Sequence, residues 1–202
     1  MTTKSTFFKK WMKSIPASVF GLLSFGISLI THLIAVLLYP NYDITSEAIS
    51  LLSNGNGGIL YRIGLILSGI LGIPFCIYMG KFFKKDNSIE LIRKLALIGS
   101  IIYCISLIFI GYFWGDNLVI STIHGISAVL CWIDGFVFIS LFSILMFKDR
   151  RFPVLCRLIG VLTAGAFLLH LIVLSPITQW IMTLSIMLWV WINSSYMLYK
   201  HY

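Results

Sequence analysis

The chain has 202 residues, of which 59% are apolar and 11% charged, with a formal net charge of +8. A soluble domain carries about a quarter of its residues as Asp, Glu, Lys or Arg, so that class is excluded, and the length leaves no room for a soluble module beside a set of membrane spans. Nor does the positive charge indicate nucleic acid, because Lys and Arg fall in short clusters between apolar runs and not along one face.

A helix needs about 20 apolar residues to cross the hydrocarbon of a bilayer. The sequence predicts six such helices, over 15–38, 59–80, 95–114, 118–147, 158–175 and 177–199. The first follows Lys9-Lys10-Trp11-Met12-Lys13 and starts like a secretory signal. Its apolar run is longer than the roughly 7–15 residues of a signal's core, and no small-x-small cleavage site follows, so it is expected to be retained as a span.

Residues 39–58 form a loop in which Ile44, Ala48 and Leu51 recur at helical spacing opposite Glu47, Ser50 and Asn54. With Asp43 or Thr45 as N-cap and Asn54 to Gly58 as terminator, the pattern predicts a short amphipathic helix lying flat on the membrane surface. In the second span Gly64, Ser68 and Gly72 share one stripe, as Gly160 and Ala164 do in the fifth; small residues let helices approach closely in lipid, so these are packing faces. Pro74 removes a backbone donor and is expected to kink the second span. Only Ser175-Pro176 separates the last two spans.

Orientation follows from the basic residues, which are held on the cytoplasmic side of span ends. Lys4, Lys9, Lys10 and Lys13 precede the first span, Lys81, Lys84, Lys85, Arg93 and Lys94 follow the second, Lys148, Arg150, Arg151 and Arg157 follow the fourth, and Lys200 follows the sixth. Only Arg62 falls on the other side, so both termini are expected in the cytoplasm of a multi-pass cell-membrane protein. Cys76, Cys104 and Cys131 lie in spans and Cys156 in a basic loop; with none outside the cell, no disulfide is expected.

No phosphate-binding loop, dinucleotide fingerprint, nucleophile elbow or His-Glu-x-x-His motif occurs. The candidates are therefore polar residues in the spans, which are costly in lipid. His32, His124 and His170 each fall roughly 7–9 Å below the outer end of their helix at 1.5 Å per residue, so they occupy one layer. Together they could hold a zinc ion; alternatively, each makes its own hydrogen bond near the headgroups. Asp43, Glu47 and Asp116 could complete a metal shell or act as a general base. The plainer account is that Asp43 caps the surface helix while Arg62 pairs with Glu47 or Asp116. Asp134 lies roughly 15 Å deeper than His124. It is expected to be a neutral acid hydrogen-bonded to a neighbour, or the end of a relay along Ser127, Cys131 and Asp134.

Ser28 and His32 at i and i+4, with Asp43 beyond, resemble part of the zinc site of the alkaline ceramidase and adiponectin receptor superfamily, an analogy of chemistry and not of membership. Those proteins also use a late His-x-x-x-His pair, whereas His170 stands alone. A resemblance over most of the chain is carried by Tyr42-Asp43, Ile49-Ser50-Leu51, Gly64, Gly69, the run from Gly111 through Asp116, and His124-Gly125. In these the chain resembles the domain-of-unknown-function family 998 of archaeal and bacterial membrane proteins. There the loop serine is commonly followed by an acid; Leu51 stands in that place here and Glu47 is the nearest carboxylate in the sequence. That family resembles more distantly the Frag/DRAM/Sfk proteins, some of which act in lipid-anchor remodelling and membrane organisation. The resemblance implies the fold and an important outer loop, and no activity.

The sequence thus predicts an all-α six-span bundle with membrane lipid as its partner. The function it favours is a non-catalytic lipid-binding, carrier or membrane-organising protein. The alternative is a lipid hydrolase under the outer loop, with Asp43, Ser50 and His124 as catalytic candidates and a zinc ion on His32, His124 and His170.

Overall fold

The computed structural model describes residues 16–83 and 89–201. Ile15, at the start of the first predicted span, and Lys4, Lys9, Lys10, Lys13, Lys84 and Lys85 of the basic clusters lie outside the described residues. Six α-helices span Ser18–Leu38 (α1), Gly58–Phe82 (α2), Glu90–Tyr112 (α3), Leu118–Lys148 (α4), Val154–Val173 (α5) and Pro176–His201 (α6). Each is long and apolar enough to cross a membrane, and no strand occurs among the described residues. The protein is an all-helical, multi-pass membrane protein. Every helix packs on its neighbours in the chain and α6 returns to pack on α1, so the six close into a ring.

Small residues hold the ring together as the sequence predicts. Across α1 and α2, Ser24 Oγ donates to the Ser68 carbonyl at 3.0 Å and Ser68 Oγ donates to the Ser24 carbonyl at 3.3 Å. Hydrogen bonds between membrane helices contribute about 0.6 kcal/mol on average and up to about 1.7. Gly64 faces Thr31 of α1, whereas Gly72 turns toward Cys104 of α3. The chain continues helically through Pro74.

One end of the ring carries Lys81, Arg93, Lys94, Lys148, Arg150, Arg151, Arg157 and Lys200, and is called the basic end below. There the Arg151 guanidinium donates to the Phe82 carbonyl at 2.8 Å and lies over the Phe82 ring, while Tyr196 Oη donates to the Arg151 carbonyl. Further into the ring, Trp189 packs edge-on to Phe75 and Phe138, at centroid distances of 6.2 and 5.8 Å, and beside Phe142. These fully buried rings form a floor across the interior.

Two expectations need correction. Helix α5 begins at Val154, four residues before the predicted span, because the Arg157 guanidinium folds back onto the Phe152 carbonyl and keeps its charge at the helix end. Cys156 is therefore a buried helical residue and not part of a loop; all four cysteines are buried and free. The loop from 39 to 57 does not contain the predicted α-helical face. It runs through turns to a 3-10 helix over Ile49–Asn54. Three residues per turn place Ile49 and Leu52 on one side, and both are buried while Ile44 is exposed.

Candidate functional site

A cavity of about 710 Å³ occupies the half of the ring away from the basic end. All six helices line it, and the loop residues Ser46 and Ala48 to Leu51 cover it. Its wall is mostly aliphatic and aromatic, and among the lining residues none is Asp, Glu, Lys or Arg. Gly125, Val129 and Leu174 line it and are also exposed.

The loop is fastened over this cavity from both sides. The Ile49 N–H donates to Gln179 Oε1 at 3.0 Å and Trp180 Nε1 donates to Tyr42 Oη at 3.1 Å, tying the loop to α6. Trp114 Nε1 donates to Asn54 Oδ1 at 3.1 Å, tying it to the turn between α3 and α4. Within the loop, Asp43 accepts from the Thr45 hydroxyl, the Thr45 N–H and the Ser46 hydroxyl. Those bonds, the Thr45 hydroxyl first, hold its carboxyl below the ordinary carboxylate range. Glu47 Oε2 accepts from the Asp43 N–H at 2.9 Å, so both acids serve the turn. Burial raises the Tyr42 hydroxyl above its ordinary value.

The three histidines predicted to share a layer all line the cavity. Each has its own partner. His32 Nδ1 lies 2.7 Å from the Ser28 carbonyl, and its ring meets Tyr61 and Trp180 edge-on. His124 Nδ1 lies 3.2 and 3.1 Å from the carbonyls of Ile110 and Phe113. It thereby satisfies acceptors that the C-terminus of α3 leaves free. His170 Nδ1 lies 2.9 Å from Thr178 Oγ1, with Trp132 edge-on to its ring. Among the described residues no group of three or more His, Cys, Asp or Glu side chains is placed to hold a metal. The three imidazoles line one space without converging on one point, so among the described residues they are not placed to share a zinc ion and each makes its own hydrogen bond, the other reading that the sequence left open.

Of the other candidates, Ser50 lines the cavity but Asp43, Glu47, Asp116, Arg62 and Asp134 do not. Among the described residues no ion pair joins Arg62 to Glu47 or Asp116. Asp116 is exposed in the turn before α4, while Arg62 Nε is buried without a hydrogen-bond partner. Asp134 lies against Gly99 of α3, where an added Cβ would come within 3.9 Å of its carboxylate. Ser127 and Cys131 of the predicted relay are buried, but Asp134 faces the α3–α4 contact and not the cavity.

Sequence reasoning missed Thr178, Gln179 and Trp180, which position His170 and the loop. The Ser175-Pro176-x-Thr178 pattern at the start of a helix is a capping signal that pointed toward them: the Thr178 N–H meets Ser175 Oγ at 3.3 Å.

A family model described as "Protein of unknown function (DUF998)" matches residues 22–194. The chain belongs to the DUF998 family. The match spans all of the cavity wall, so the loop, the three histidines and the small-residue contacts all lie inside the DUF998 region. No curated protein and no solved structure matches the chain.

Proposed function

We propose that this DUF998 protein is a non-catalytic membrane protein that binds a lipid-sized amphiphile in its intramembrane cavity. The basic end faces the cytoplasm, and the loop therefore covers the outer-leaflet end of the site. The observation that carries the reading is a cavity of about 710 Å³ with a mostly apolar wall and polar groups near its covered end. Pockets of about 300–1,000 Å³ with apolar walls and a few placed polar groups are the usual receptacle of small ligands. The exposure of Gly125, Val129 and Leu174 along the wall suits entry of an acyl chain from the bilayer.

Hydrolysis has less support. The Ser50 hydroxyl makes no hydrogen bond with an imidazole, each Nδ1 is engaged by a carbonyl or a hydroxyl, and the loop carboxylates are committed to a turn. The test is native mass spectrometry of protein purified in mild detergent. A bound lipid should accompany the wild type and be lost from Gly125→Trp, which adds a bulky ring at a position in the cavity wall. It should remain with Gly165→Trp, where nothing lies within 4 Å and the position is not in the cavity wall. Wild-type protein free of lipid, or lipid retained equally by both variants, would contradict the reading.

A further inference from the structure

The neighbour expected to bond Asp134 is not found among the described residues: its carboxyl makes no hydrogen bond and no ion pair with any of them. Asp134 lies near the middle of the 31-residue helix α4, roughly 20 Å or more from either end at 1.5 Å per residue, and so close to the bilayer centre. Every described Lys and Arg lies in a turn or near a helix end, none at this depth. The residue is only partly buried, and it lines neither the large cavity nor a smaller one of about 60 Å³ beside Trp189. Its unpartnered carboxyl oxygens are not shut off from the surface. The acid therefore opens to the surrounding lipid, at the edge of the α3–α4 contact beside Gly99. The outward side chains around it are aliphatic: Leu130, Ile133 and Val137 of α4 and Ile98 and Ile102 of α3 are all exposed.

A carboxylate in hydrocarbon without a counter-charge is strongly unfavourable, so Asp134 there is a protonated acid. A protonated carboxyl has one O–H to donate and a carbonyl oxygen to accept. Lipid tails meet neither, which is costly. A second carboxyl meets both at once, because each O–H donates to the other's carbonyl oxygen. Two copies of one chain inserted the same way, and related by a two-fold axis along the membrane normal, bring each residue to the depth of its own equivalent. The chain thus supplies the matching group at the matching depth. We propose that a second copy of this chain docks on the outward face of α3 and α4, with the two Asp134 carboxyls hydrogen-bonded to each other at the axis. Gly125 lies about two and a half turns from Asp134 on α4 and so on the opposite side of that helix. Docking therefore leaves the exposed cavity wall at Gly125 facing lipid, and the pairing does not depend on what the cavity binds.

The experiment measures energy transfer between donor-labelled and acceptor-labelled copies of the full chain in phosphatidylcholine vesicles, over a range of protein-to-lipid ratios. The wild type should show a monomer–dimer equilibrium. Asp134→Leu removes the paired hydrogen bonds and should weaken association about tenfold, the effect of one or two interhelical hydrogen bonds. Asp134→Asn, whose amide also donates and accepts, should stay within about threefold of the wild type on the same scale. A second arm keeps the native acid, so it decides the question even if Asp134→Leu does not fold. Val137→Cys, one turn from Asp134, should form an intersubunit disulfide under mild oxidation. Ile30→Cys, exposed on α1 across the ring, should not, and the four native cysteines are buried. A wild type that is monomeric at every ratio overturns the proposal and leaves lipid or a different chain as the occupant of this face. So does Asp134→Leu associating as tightly as the wild type, Asp134→Asn dissociating as far as Asp134→Leu, or Ile30→Cys cross-linking as readily as Val137→Cys.

Discussion

Gly69 of α2 is the position where the packing account can be tested with one methyl group. A Cβ added there would lie 2.5 Å from the carbonyl oxygen of Cys104 and 2.7 Å from Ile108 Cγ1, both on α3. The first of these is backbone, so no rotamer change relieves it. Ordinary carbon–oxygen contact begins at about 3.3 Å, and the two helices would have to separate by roughly 0.8 Å locally to restore it. Overpacking of this kind costs about 1–3 kcal/mol. Alanine also gains up to about 1 kcal/mol over glycine in a helix interior. That gain is cancelled by comparison with Gly26→Ala in α1, where nothing lies within 4 Å of the added carbon. For a chain of 150–250 residues each kcal/mol shifts the melting temperature by about 2–4 °C. Gly69→Ala should therefore melt roughly 2–12 °C below Gly26→Ala in the same detergent, followed by intrinsic Trp fluorescence. Equal melting temperatures would mean that α2 and α3 do not approach as closely as the structure has them.

The orientation can be read by chemistry: cysteines introduced at Asn56 and Asn117 should react with a membrane-impermeant thiol reagent outside intact cells, while one at Arg150 should react only after lysis. Labelling of residue 150 in intact cells would reverse the topology. Asp43 supplies a pH test. Its folded-state pKa lies below the unfolded value of about 3.9, so its contribution to loop order is complete above that value and is lost as pH falls through the lower, folded one. A carbon-detected NMR titration should place its midpoint below that of a reference aspartate in an unfolded peptide; a midpoint at or above the reference contradicts the bonding around Thr45.

Much of the fold was legible because lipid imposes simple rules: span length and small residues at helix contacts both follow from the local sequence. The exceptions have local causes. Arg157 hid the true start of α5, since hydropathy penalises a charge even when its side chain folds back onto a carbonyl. The phase of the loop was missed because the Asp43 turn occupies 43–47 and the following segment winds with three residues per turn, which buries Ile49 and Leu52 and leaves Ile44 exposed, while Ala48 and Leu51 line the cavity. Counting residues along each helix placed His32, His124 and His170 in one layer, and the structure brings all three to one cavity. What each ring does there was not legible. It depends on the exposed carbonyls at the end of α3 and on Thr178 of α6, partners set by how helices meet. The pairing of Arg62 with Glu47 or Asp116 failed for the same reason: similar depth does not ensure that two side chains face each other.

The claim on which the rest depends is that the cavity is a binding site, and the most direct measurement is an experimental structure of the protein in a lipid nanodisc. The account predicts elongated density filling the space beneath the loop, with its polar end at the covered end of the cavity and the tail passing Gly125 and Val129. A cavity collapsed by inward movement of α4, or one holding only isolated waters, would contradict it.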